Sequence, residues 1–211
     1  MNYFKVFTFL SIVTVGILLG AAKAHAASPI IGEDKTSLAR NYIGKNYFID
    51  MGTGIGSPED YHDLMTLLQF ARSEDVITFQ MHNVGGQADT LSMLQNALKK
   101  TAAQTVVVVD GPSYSAGAMF ACYPSVFKMD DSSFLMFHNG AIAISGKRSD
   151  SISYIEADKI QQRQLFQPCI NKHILTEEQV NAITKGQDIY LFRDDLIKSG
   201  AIPGPRSRTN G

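Results

Sequence analysis

The chain carries almost no net charge. Its 19 Lys and Arg balance 20 Asp and Glu over 211 residues, a formal charge of −1, with no basic cluster and no aromatic–basic alternation. A nucleic-acid surface concentrates Lys and Arg against phosphates, so no nucleic-acid partner is expected. Cysteine is scarce as well. Neither the number nor the spacing of Cys122 and Cys169 suits a zinc site. The loops G-x-G-x-x-G and G-x-x-x-x-G-K-[ST] are both missing, which leaves phosphate binding without a motif. Internal repeats are missing too. The longest apolar run, at residues 7–19, is short for a membrane helix, which needs about 20 residues.

That run reads as a leader. Lys5 makes a short positive n-region, and Ala24-His25-Ala26 ahead of Ala27 is an A-x-A cleavage pattern, with Ala22-Lys23-Ala24 as a second option. Residues 1–26 are expected to be a signal peptide, and the mature chain to be periplasmic or secreted. An uncleaved anchor at residues 7–22 is the alternative. In an oxidising compartment Cys122 and Cys169 have two readings, a disulfide or two buried apolar thiols.

The remaining length suits one domain, and 45% apolar residues suit a real core. Residues 27–45 are polar, hold Pro29 and Gly32, and read as an irregular arm. A first strand is expected over 46–51. Ser57-Pro58-Glu59-Asp60 then starts a helix, with Ser at the N-cap, Pro next and acids in the first turn. Leu64, Leu67, Leu68 and Ala71 give it an apolar face. Strands follow at 76–81 and 105–109, with a helix marked by Leu91, Leu94 and Leu98 between them. A third helix begins at Ser115, and short strands are expected at 127–129 and 134–137. Strand–helix alternation of this kind predicts an α/β fold with parallel strands and right-handed crossovers. Residues 141–150 read as an exposed basic loop. The pattern predicts a long, polar helix over 152–167 that Pro168 ends or kinks, and a capped helix after Thr176. A strand over 188–192, a helix over 193–198 and a mobile tail over 204–211 complete the chain.

Chemistry concentrates between residues 105 and 140. The run Thr105-Val106-Val107-Val108-Val109 is a strand buried on both faces, and Asp110-Gly111-Pro112 breaks it before Ser113-Tyr114-Ser115 and a small-residue helix. A serine where a strand turns into a helix lies beside unpaired backbone N–H groups that favour an oxyanion. Ser115 is therefore the candidate nucleophile, with Ser113 as rival and a plain helix cap as the bland alternative. The stretch is not G-x-S-x-G, so it is not an α/β-hydrolase elbow. His138, at the end of the strand over 134–137, is the candidate base or else a structural histidine. Gly85-Gly86 follows a strand. It is a tight turn or the second half of an oxyanion hole, with the Gly86 N–H joining that of Ala116. Asp188 by itself would be a turn aspartate.

Taken together, these residues resemble the proteolytic subunit of the caseinolytic (Clp) protease, within the wider Clp/crotonase fold. Val84-Gly85-Gly86 is similar to that family's double-glycine turn and Ser113-Tyr114-Ser115-Ala116-Gly117-Ala118 to its nucleophile segment. Phe134-Leu135-Met136-Phe137-His138 resembles the strand ending in the catalytic histidine, and Asp188-Ile189-Tyr190-Leu191 the catalytic aspartate before a strand. The stretch Asp194-Asp195-Leu196-Ile197-Lys198-Ser199-Gly200-Ala201-Ile202 resembles the closing helix and turn. Residues 46–203 would form the catalytic domain, a repeated β-β-α superhelix with a projecting handle helix. The resemblance implies an exported serine endopeptidase that cleaves peptides or unfolded proteins through Ser115, His138 and Asp188. Gly86 and Ala116 would form the oxyanion hole, no cofactor or metal would be used, and the chain would assemble as a homo-oligomeric ring. Val84 stands where the family has proline, and Tyr114 is bulkier than expected and would narrow the cleft. Export removes the chain from ATP, so no ATP-driven unfoldase is expected as partner. Three rivals remain: a Ser–Lys peptidase of the signal-peptide-peptidase type using Lys147 or Lys159, a crotonase-like acyl-CoA enzyme, and a non-catalytic oligomeric scaffold of the same fold.

Overall fold

Apolar strands and amphipathic helices build two sheets. The computed structural model describes residues 30–33, 44–140 and 147–204. The expected signal peptide, most of the expected arm, residues 141–146 of the expected basic loop and residues 205–211 of the expected tail lie outside the described residues.

Strand β1 (Ile30–Glu33) is followed by β2 (Asn46–Asp50), a 3₁₀ turn at Pro58–Tyr61 and helix α1 (His62–Phe70). Then come β3 (Val76–Met81), α2 (Ala88–Lys100) and β4 (Gln104–Val109). The short β5 (Ser113–Tyr114) runs straight into α3 (Ser115–Ala121), and β6 (Val126–Met129) and β7 (Phe134–Phe137) follow. Helices α4 (Arg148–Asn171) and α5 (Glu177–Thr184), strand β8 (Ile189–Phe192) and helix α6 (Arg193–Lys198) close the described chain.

The larger sheet has the order β1-β2-β3-β4-β6. Its last four strands are parallel, as the strand–helix alternation requires, and β1 adds to the edge antiparallel, Ile31 opposite Ile49. The smaller sheet has the order β5-β7-β8, with β5 and β7 parallel and β8 antiparallel. Ile49, Ile77, Phe79, Met81, Val107 and Val109 form the buried middle of the large sheet, covered by Leu64 and Leu68 of α1 and Leu91 and Leu94 of α2. Apolar side chains at helical spacing on one side and β-branched runs on the other bury each other. This is an α/β fold.

Three expectations are corrected. The arm is not wholly irregular, because β1 lies within it. The basic loop is shorter than expected, because residues 148–150 already belong to α4. Pro168 does not end α4, which continues to Asn171. A helical proline leaves the carbonyl four residues earlier without its N–H partner. Here that carbonyl, Gln164 O, accepts from the Nε2 of the buried Gln95 on α2 at 3.2 Å. The lost backbone bond is replaced across the helix pair.

Cys122, at the end of α3, and Cys169, in the last turn of α4, form a disulfide with Cα atoms 4.9 Å apart. The bond ties down the half of α4 that also buries Leu165 and Phe166. The opposite end is different: residues 152–157 are all exposed, Ile152, Tyr154 and Ile155 among them.

Candidate active site

The turn from β5 into α3 places Ser115 in an unusual backbone conformation. Its φ is +53°, in the left-handed region that costs a residue with a Cβ about 1–2 kcal/mol. The turn is therefore sharp, and Ser115 stands half-buried at its apex at the head of α3. This is the geometry of a nucleophile elbow without the G-x-S-x-G sequence. The other serine of the segment points elsewhere. Ser113 is fully buried, and its hydroxyl donates to Met81 O at 3.3 Å.

A second turn, after β3, is pressed against the first. Gly85 has φ +93° and Gly86 φ +150°. A Cβ on Gly85 would come within 2.7 Å of the Ser115 Cβ, and one on Gly86 within 2.0 Å of Ile55 O. Both positions therefore need glycine on conformation and on space. Asn83, which sequence reasoning passed over, joins the two turns. Its buried side chain accepts from Gly85 N at 2.8 Å and donates to Gly52 O at 3.0 Å, while its carbonyl accepts from Tyr114 N at 2.8 Å. Around the Gly86 bridge the bonds run from Ile55 N to Gly85 O and from Gln87 N to Ile55 O. The Gly86 N–H takes no part in them.

The small sheet brings the remaining residues to the same end. Tyr114 pairs with Met136 in β7, so Ser115 and His138 both leave the sheet at its upper edge. Phe137 pairs with Ile189 in β8, so His138 leaves β7 at the same end of the ladder at which Asp188 leads into β8. Ser115, His138, Gly86 and Ala116 then line one cavity of about 400 Å³ together with Leu91, Met119 and Leu165. Asp188 is exposed and does not line it. Among the described residues no hydrogen bond joins Ser115, His138 and Asp188. The arrangement gathers a serine, a histidine and the backbone of Gly86 and Ala116 around one cavity, with Asp188 outside its lining.

Tyr114 does not narrow this cavity. Its ring packs edge-on against Phe134, centroids 5.3 Å apart, and is absent from the cavity lining. The two candidate lysines are elsewhere as well. Lys159 is largely exposed and paired with Glu156 at 3.0 Å, and Lys147 precedes α4 without reaching the cavity. A histidine–carboxylate pair, His82 with Asp110 at 3.2 Å, lies across the ends of β3 and β4 and lines no part of the serine's cavity.

Perturbed groups lie behind the site rather than in it. Burial pushes the Tyr123 phenol far up, and its hydroxyl donates to Leu165 O at 3.3 Å. Burial also lowers Lys172 to about 8, with its ammonium donating to Pro124 O beside the disulfide. Among the described residues no group of three His, Cys, Asp or Glu could hold a metal ion, and no helix is long and apolar enough to cross a membrane. Comparison of the chain with protein-family models and with curated proteins found no match.

Proposed function

We propose that the chain is a serine endopeptidase resembling the Clp proteolytic subunit and acting on peptides or unfolded proteins. The observation that carries this reading is the Ser115 elbow, with its left-handed backbone opening onto a cavity shared with His138, Gly86 and Ala116. Strain of this kind persists where surrounding structure over-determines it, and clusters at catalytic sites.

In the proposed reaction the substrate carbonyl enters with its oxygen toward Gly86 N–H and Ala116 N–H. His138 takes the Ser115 hydroxyl proton as Oγ bonds to the carbonyl carbon, and then gives it to the departing amine as the C–N bond breaks. A water, deprotonated by the same imidazole, attacks the acyl-enzyme; the acyl C–Oγ bond breaks, Ser115 Oγ takes the proton back from His138, and the new carboxyl group leaves. The two N–H donors stabilise each tetrahedral oxyanion, and losing one such donor typically costs about 10²–10³ in rate. Asp188 orients the imidazole once it closes on His138. Hydrogen bonds of this type are commonly long in an empty site and tighten around substrate.

The disulfide supports export, because such bonds persist in oxidising compartments. Exposed apolar side chains on α4, Ile152, Tyr154, Ile155 and Ile160, support assembly through a projecting handle. The ring, the handle contact between rings and independence from an ATP-driven unfoldase belong to the same proposal.

The exposed position of Asp188 favours one other reading, a non-catalytic oligomeric scaffold. A fluorophosphonate probe separates the two. Labelling of the purified mature protein at Ser115, lost in Ser115→Ala and in His138→Ala, is the outcome expected of the peptidase. Labelling that survives His138→Ala and is lost in Lys147→Ala or Lys159→Ala moves the base to a lysine. A folded, oligomeric sample with no labelling favours the scaffold.

A further inference from the structure

The cavity beside Ser115 has an uneven lining. Ala88, Leu91, Met119 and Leu165 make it largely apolar, while Gln87, Gln161 and Gln162 add neutral polar groups. Its one carboxylate among the described residues is Asp158, on the stretch of α4 between the exposed end and the end held by the disulfide. Asp158 is half-buried and sits where this cavity meets the neighbouring groove between α4 and α5.

Among the described residues no cationic side chain pairs with it. Gln162 Nε2, a neutral donor, donates to Oδ2 at 3.0 Å, and among the described residues Oδ1 has no donor. The nearby cations are engaged elsewhere, Lys159 with Glu156 and Arg163 with Glu177, each at 3.0 Å. A half-buried carboxylate against apolar walls is stabilised most by a cation that brings its own apolar stem. Lysine and arginine do both: the methylenes lie along Leu91, Met119 and Leu165 while the charged end reaches the carboxylate.

We infer that Asp158 is a specificity-determining residue and that the site cleaves after lysine or arginine. This rests on the serine-peptidase reading, since the acyl residue held by Ser115 and the two N–H donors is the one whose side chain enters this cavity. A basic residue there gains a charge-assisted hydrogen bond that a leucine of similar reach does not. The lining also predicts the converse: an acidic side chain meets a like charge in a partly desolvated space and is rejected.

Three peptidyl aryl phosphonates, alike except for lysine, leucine or glutamate at the acyl position, test this on the full mature protein. Labelling rates at Ser115 are compared within the native chain, Asp158→Asn and Asp158→Lys, so that only the ratio between probes is read. The expected result is a lysine preference over leucine of about tenfold or more in the native chain. That preference should collapse toward parity in Asp158→Asn and give way to glutamate in Asp158→Lys. Equal lysine and leucine rates in the native chain, or ratios that do not move with residue 158, would overturn the inference and leave the peptidase standing. If neither the phosphonates nor a fluorophosphonate labels Ser115, the peptidase reading fails and the inference goes with it.

Discussion

At Ser115 a side chain is held where its backbone is uncomfortable, and that discomfort is measurable. Removing the Cβ frees the left-handed conformation, whereas alanine keeps the penalty and loses the hydroxyl. Ser115→Gly should therefore be more stable than Ser115→Ala by about 1 kcal/mol in urea unfolding, with both variants inert to a fluorophosphonate. If alanine proves the more stable, the turn is not strained in solution. Much at this scale was legible in advance. A serine between a β-branched strand and a small-residue helix, and a glycine pair after another strand, both mark sharp turns by local chemistry alone. The preference for Ser115 over Ser113 followed from distance to the helix start, and the structure adds that the Ser113 hydroxyl is buried and donates to Met81 O. Asn83 was not legible, because its importance lies in contacts with Gly52 and Tyr114, some thirty residues away on either side. Nor was Asp158, since only the folded helix shows which of its many polar residues faces the serine.

Among elements, α4 departs furthest from its sequence pattern. A proline in its last turns argued for an end or a kink after 167, and locally that argument is sound. The helix continues because a glutamine on another helix supplies the missing donor, a long-range compensation that no local window reveals. Gln95→Leu should cost about 1–3 kcal/mol by orphaning Gln164 O. In Gln95→Leu/Pro168→Ala, where a backbone N–H returns, much of that loss should vanish. Denaturant unfolding of the four members of this cycle gives the coupling, and simple additivity would mean that Gln95 does not replace the proline's donor. The disulfide is the other long-range tie on α4. It closes a separation of 47 residues, for which chain entropy predicts a contribution of about 4 kcal/mol. Cys122→Ala/Cys169→Ala should lower the urea midpoint accordingly, and an unchanged midpoint would show that core packing alone holds α4. Strand β1 was missed for a similar reason: its partner, β2, supplies the edge that makes four residues of the arm a strand.

For the whole molecule, acid is the condition to which one buried carboxylate responds. Burial raises the Asp75 pKa, but backbone N–H donors from Arg72 and Lys45, each at 2.8 Å, and the positive charges of those residues outweigh it. The folded pKa is therefore below the ordinary 3.8. A depressed carboxylate contributes stability that is full above the unfolded pKa and disappears as pH falls through the folded one. Unfolding free energy measured in urea should fall as pH drops below about 4, and Asp75→Asn should flatten that slope. An unchanged slope in the variant would assign the acid sensitivity to other carboxylates. Asp75 ties the lead-in to β2 against the turn before β3, so its protonation loosens the junction where the two first parallel strands begin.

If Ser115 and His138 react as proposed, the position of Asp188 outside their cavity divides chemistry from readiness. On the proposed reading, a reagent that needs only the serine, its base and the two N–H donors meets them in place and reacts with the resting chain. A peptide bond, with its poorer leaving group, draws on a well-oriented imidazole and so waits for the aspartate to arrive. The chain would behave as a latch: open to irreversible acylating or phosphonylating agents at all times, and competent toward protein only when the Asp188 carboxylate turns onto the His138 ring.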